Sequence, residues 1–137
     1  MAPPMRVEVV SPEGLIWEGE AINVVVRSTS GELGILYDHW PIMAPLVPGA
    51  VEIQTPDGER EVIAVEGGFI SVFQNRVQVL SDSAMMASKI SVEQARTALA
   101  ALRDSYDAGT ATESEQRRYN QLVAQVKAGE RYAALHA

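Results

Sequence analysis

Between residues 6 and 82 apolar and polar positions alternate with the period of two that half-buried strands require. In Ile22-Asn23-Val24-Val25-Val26-Arg27, residues 22, 24 and 26 share one face; in Val77-Gln78-Val79, residues 77 and 79 do. Turn residues recur at short intervals: Pro12-Glu13-Gly14, Ser30-Gly31, Pro48-Gly49, Pro56-Asp57-Gly58, Gly67-Gly68 and Gln74-Asn75. Many short β-branched runs between frequent turns predict a β-sandwich or barrel rather than a parallel α/β sheet. The clearest hairpin joins Val51-Glu52-Ile53 to Val62-Ile63-Ala64-Val65 through Pro56-Asp57-Gly58.

At about Ser88 the period lengthens. Val92, Ala95, Leu99, Leu102 and Tyr106 form an apolar seam along one helix face. Ser91 and Gln94 are spaced for a capping box at its start, and Gly109 marks its end. Thr112-Glu113-Ser114-Glu115 opens a second helix, with Tyr119, Leu122 and Val126 in its seam, predicted to run to about Gly129. The short connection from Asp107 to Ala111 suits an antiparallel helix hairpin. Helices of roughly 15 residues with so narrow a stripe are marginal alone in water, so the hairpin must lean on something and can exchange between partners. The division expected is a sandwich over residues 1–87 and a regulatory hairpin over 88–137.

Composition narrows the functions available. A chain of 137 residues that is 47% hydrophobic can bury a core. It has no cysteine, which excludes disulfides and thiolate metal sites, and only two histidines, too few for a metal-dependent barrel. The opening Met-Ala-Pro-Pro-Met-Arg has no apolar stretch of signal-peptide length, and no apolar run is long enough to span a bilayer, so direct membrane insertion is not expected. The net charge is −7. Residues 1–88 hold 4 Lys and Arg against 12 Asp and Glu, a surface that repels nucleic acid; residues 89–137 hold 7 against 6. Within that near-neutral tail Arg117, Arg118, Lys127 and Arg131 crowd together, either as a solvated helix face or as a basic surface for an acidic partner.

No catalytic constellation emerges. Gly31-Glu32-Leu33-Gly34 is not a phosphate loop, and no Walker-type run occurs. Its glycines are expected to supply backbone angles at sharp corners. The candidate bases are His39, in a turn where its ring can pack on Trp40 or Pro41 and bond a carbonyl, and His136, near a terminus expected to fray. The chain is therefore expected to catalyse nothing.

The run Gly31-Glu32-Leu33-Gly34-Ile35-Leu36, followed by His39-Trp40-Pro41-Ile42, resembles the epsilon-subunit family of rotary F-type ATP synthases. Glu66-Gly67-Gly68-Phe69-Ile70-Ser71-Val72 and Asn75-Arg76-Val77-Gln78-Val79-Leu80-Ser81-Asp82-Ser83-Ala84 lie at the matching distances, and the likeness covers about Val7 to Ala84. It implies an antiparallel β-sandwich of about ten strands followed by a two-helix hairpin. It also implies a rotor subunit of the central stalk, docked on the gamma subunit and the ring of c subunits. Glu32, His39 and Trp40 would be the ring contacts.

Through the hairpin the resemblance implies contact with the alpha/beta hexamer and inhibition of hydrolysis, with Arg117, Arg118, Lys127 and Arg131 meeting beta. The location implied is peripheral, on the cytoplasmic face of a bacterial inner membrane or the equivalent organellar face. Two departures stand out: Asp38 replaces the usual glycine before the histidine, and Ile90-Ser91-Val92-Glu93-Gln94-Ala95 replaces a motif that in some relatives holds ATP through an acid and an arginine. Loss of that guanidinium predicts at most weak binding of ATP as a regulatory ligand, with Ile90, Glu93, Ala95, Arg96 and Arg103 the candidate contacts. No other cofactor is expected. A reading from another class is a free-standing small-molecule or nucleotide sensor, with its ligand between sandwich and hairpin.

Overall fold

The computed structural model describes residues 3–137; of the opening hexapeptide, Met1 and Ala2 lie outside them. The strands are β1 (Met5–Ser11), β2 (Gly14–Ala21), β3 (Asn23–Ser28), β4 (Gly31–Ile35), β5 (Ile42–Leu46), β6 (Gly49–Gln54), β7 (Arg60–Val65), β8 (Gly68–Phe73), β9 (Arg76–Leu80) and β10 (Ala84–Met86). A 3-10 turn (Ala87–Lys89) leads to α1 (Val92–Asp107) and α2 (Glu113–Leu135). Hydrogen bonding follows the path β10-β7-β6-β3-β5-β8-β9-β1-β2, with β4 paired to β3. The end strands β10 and β2 touch, so the path curls into two layers around one core. Val24, Val26, Val77 and Val79 are buried in it, as the alternation predicts.

One pairing departs from the antiparallel expectation: β1 and β9 run parallel, from Arg6 beside Arg76 to Val10 beside Leu80. No hairpin joins these two strands, so no tight turn dictates their direction. The β6–β7 hairpin is as predicted: Gly58 takes φ 89° and donates its N–H to the Thr55 carbonyl at 2.9 Å. The Gly31-to-Gly34 pair divides. Gly31 turns β3 into β4 at φ 122°, whereas Gly34 has no such angle and a Cβ there would meet nothing within 4 Å. The corner role expected of both belongs to Gly31 alone.

The hairpin packs on the outer face of β6 and β7. Val62 and Ala64 of the sheet close against Ala87, Ala124 and Ala128, small side chains that let α2 lie near the strands. α1 packs on α2 through Ala95, Leu99 and Leu122, and Tyr106 stacks on Tyr119 with ring centroids 3.8 Å apart. Three details differ from expectation. α2 does not stop near Gly129 but continues to Leu135, with Gly129 buried inside it. The α2 capping box forms between Thr112 and Glu115, whereas at α1 only Ser91 Oγ accepts from the Gln94 N–H, at 3.2 Å. His136, expected to fray, caps α2 and stacks on Tyr132.

Candidate functional site

Three surfaces carry the residues singled out by the sequence. The first is the loop from Leu36 to Pro41, between β4 and β5. Asp38, standing where a glycine is usual, takes φ 63°, which explains how the corner survives. Asn75, in the β8–β9 turn and also at φ 63°, accepts the Asp38 N–H at 2.6 Å through Oδ1. Its Nδ2 donates to Asp38 Oδ1 at 3.2 Å. The anchored loop presents Trp40, 73% exposed. The His39 ring lies 4.8 Å from that of Trp40, and its Nδ1 donates to the Trp40 carbonyl at 2.7 Å. Glu32 is also exposed but sits toward the other end of β4, opposite Arg27 of β3. It lines a different concavity from this loop.

The second surface was not read from the sequence. Across the layer that the helices leave bare, paired registers bring Pro45, Phe69, Leu80, Val10 and Leu15 into one row over β5, β8, β9, β1 and β2. Phe69, Leu80 and Leu15 are each about half exposed, and Met43 and Phe73 lie exposed on the same strands. The available signal was β8 itself: Phe69-Ile70-Ser71-Val72-Phe73 carries large apolar residues at both parities, so its second face is apolar as well.

The third surface lies where α2 meets the other layer. A groove of about 320 Å³ is lined by Val25, Arg27, Glu32, Glu52, Lys127 and Arg131, among others. Glu52 of β6, with a side chain only 14% exposed, accepts from Arg131 Nε and Nη2 at 2.9 and 3.1 Å and from Arg60 Nη1 at 3.0 Å. The Arg131 hydrogen bonds, opposed by partial burial, hold its carboxyl below the usual glutamate range. Arg131, read from the sequence as a contact for a partner, is thus engaged within the chain; Lys127 lines the same groove, and Arg117 and Arg118 are exposed beside Glu66 and Asp82.

The candidate nucleotide contacts are not brought together. A smaller cleft of about 190 Å³ between α1 and α2 includes Ile90 and Ala95, with Lys89, Ser91, Gln94 and Arg118. Glu93 and Arg103 are exposed outside it, and Arg96 is ion-paired with Glu130 of α2. Among the described residues no group of three or more potential ligands could hold a metal ion, and no helix is long and apolar enough to cross a membrane.

Comparison with known proteins adds the following. Residues 4–87 match the family described as ATP synthase, Delta/Epsilon chain, beta-sandwich domain. The ATP synthase epsilon chain of Cutibacterium acnes is 43% identical over 95 residues, covering 69% of this chain and 65% of that protein. The epsilon chain of Streptomyces avermitilis is 40% identical over 108 residues, covering 79% and 87%. A chain in the cryo-EM structure of the Euglena gracilis mitochondrial ATP synthase, OSCP/F1/c-ring, superposes with a TM-score of 0.73 at 22% identity, over 99% of this chain and 84% of that one. A central stalk/c-ring chain from Tetrahymena thermophila gives 0.56 at 13% identity, over 96% and 97%. These two likenesses speak for the fold.

Proposed function

The chain belongs to the delta/epsilon family of rotary ATP synthases, a non-catalytic subunit, and on that premise we propose how its surfaces divide the work of a rotor. The bare apolar row through Phe69, Leu80 and Leu15 docks on gamma. That row is the observation that carries the proposal: apolar side chains aligned across five strands, with no covering element among the described residues, fit a permanent partner better than solvent. The Leu36–Pro41 loop, with Trp40 foremost, and Glu32 meet the polar loops of the c ring. Torque then passes from ring to gamma through a close-packed sandwich whose layers cannot slide without opening voids. Attachment is peripheral, at the cytoplasmic or equivalent organellar membrane face, and wholly through partners.

The hairpin is the regulatory part. Extended as one helix of about 40 residues it would reach on the order of 60 Å. Arg117, Arg118, Lys127 and Arg131 would then be available to acidic loops of a beta subunit and would oppose rotation in the hydrolysis direction. The test of docking is co-expression with gamma. Wild-type chain co-purifies with gamma, whereas Phe69→Asp combined with Leu80→Asp does not, although its unfolding midpoint is retained. Undiminished co-purification of that variant would remove the row from the interface, and a wild-type chain that stays monomeric beside gamma would sink the rotor reading.

A further inference from the structure

Three consecutive residues of α2 fasten it to two neighbours, the first two turns of α1 and the sheet. Gly129 lies against the start of α1, so close that a Cβ on it would stand 2.4 Å from Val92 Cγ2. Glu130 is ion-paired with Arg96 in the second turn of α1. Arg131 crosses to the sheet and grips Glu52 with two parallel hydrogen bonds of 2.9 and 3.1 Å. Successive helical residues point about 100° apart, so one turn can face α1 and the sheet at once. The other side-chain hydrogen bond from α2 to the sandwich, among the described residues, is from Gln121 Nε2 to Glu66 Oε2 in the β7–β8 turn, at a long 3.5 Å. The buried centre of the apolar contact beneath α2 is Val62 with four alanines, Ala64, Ala87, Ala124 and Ala128, which bury little area each, while Ile90, Tyr132 and Leu135 pack only partly buried at its margin.

We propose that the Gly129–Arg131 turn is a latch that holds the hairpin closed on the sandwich, with the Arg131–Glu52 fork as its releasable part. With the fork engaged, α2 stays on β6 and β7 and carries α1 with it. When the fork is broken, both helices lift while the sandwich keeps its fold, because the sandwich core is a separate cluster with none of the helices' residues in it. Glu52 and Arg131 are positioning residues in this scheme. Arg60, already on Glu52, keeps the carboxylate paired and aimed after release, so that reclosing meets a prepared acceptor. The latch deepens the regulatory reading of the hairpin and rests on it for its purpose, but it is tested in the free full-length chain. Its failure is therefore distinguishable from the failure of braking in the assembled enzyme.

The experiment is site-resolved amide hydrogen exchange on the full chain. Arg131→Gln and Glu52→Gln should each accelerate exchange across α2 from Ala124 to Leu135 by about tenfold, the scale of a coupled pair, while Val77 and Val79 are unchanged. The double variant should be no faster than either single one. Arg131→Lys, which keeps the charge but not the fork, should fall between, and Arg60→Gln should leave the tail within about twofold of wild type. Raising salt should accelerate tail exchange in the wild type and not in Arg131→Gln. Unaltered tail exchange in Arg131→Gln, additive effects in the double variant, or sandwich and tail opening together would each overturn the latch. Should Arg131→Gln not fold, the wild-type salt series decides: tail-selective acceleration supports the latch, and its absence overturns it.

Discussion

Asp38 and Asn75 clasp each other across 37 residues of sequence, each with φ at 63°, the Asp38 N–H donating to Asn75 Oδ1 and Asn75 Nδ2 to Asp38 Oδ1. Each is a residue type that tolerates the left-handed region, and each satisfies the other's polar groups. The consequence is mechanical: the loop that presents His39 and Trp40 is tied to the β8–β9 turn rather than hanging free.

The clasp separates two contributions to that corner. Asp38→Gly keeps the backbone conformation and loses one exposed hydrogen bond, and should cost less than about 1 kcal/mol. Asp38→Val places a β-branched side chain at positive φ and should cost about 1–3 kcal/mol. Urea unfolding of the two variants measures the difference. Equal midpoints would mean that the corner is not strained for ordinary residues.

Much of this architecture was legible because alternation and turn chemistry are local. Val77 and Val79 point inward as their spacing says, and Thr112 to Glu115 opens a helix as its capping pattern says. What was not legible depends on partners distant in the chain. A glycine late in a helix reads as a stop, but Gly129 lies inside α2, where the close approach of Val92 leaves no room for a Cβ, a neighbour supplied only by the folded hairpin. Arg131 reads as a free charge until β6 places Glu52 beneath it, 79 residues earlier. The direction of β1 beside β9 is set by how the sheet closes, for which no short motif exists. Glu32 and His39 share a motif seven residues apart, yet one lines the α2 groove and the other packs on Trp40 in the loop at the far end of β4.

The close approach at Gly129 predicts an inverted propensity effect. Alanine is the better helix former by about 1 kcal/mol, so Gly129→Ala in an open helix would stabilise. Here the added methyl meets Val92 Cγ2 at 2.4 Å, and overpacking costs typically about 1–3 kcal/mol, so Gly129→Ala should loosen the hairpin. Val92→Ala in the same chain should restore it. Amide exchange of α1 and α2 reads both, and failure of the second substitution to rescue would show that the contact is not the cause.

Acid should release the tail. Arg131 and Arg60 act on Glu52 from α2 and β7, while Lys127, Arg27 and Glu32 line the same groove from α2, β3 and β4. The folded carboxyl titrates below its ordinary value, so its contribution is complete above about pH 4.3 and is lost as pH falls through the lower, folded value. Tail protection relative to the sandwich should therefore hold from neutral pH to about 5 and drop only in more acid solution. Glu52→Gln should start lower and lack that drop. A drop of the same size in Glu52→Gln would assign it to other carboxylates.

Trp40 and Glu32 should weaken ring association by different routes, and removing the helices distinguishes them. Trp40 is 73% exposed and makes its ring contact with His39 of its own loop, so Trp40→Ala should leave stability within about 0.5 kcal/mol of wild type. At an interface, loss of a central aromatic anchor costs about 2 kcal/mol or more, which is a loss of roughly thirtyfold in affinity for the c ring. Glu32 lines the groove where Arg131 lies. Glu32→Lys could therefore act at the ring or through the tail. If Glu32 meets the ring, charge reversal weakens ring pull-down equally in the complete chain and in one ending at residue 88. If the defect disappears on truncation, Glu32 acts through Arg131, and the ring contact is left to the Trp40 loop alone.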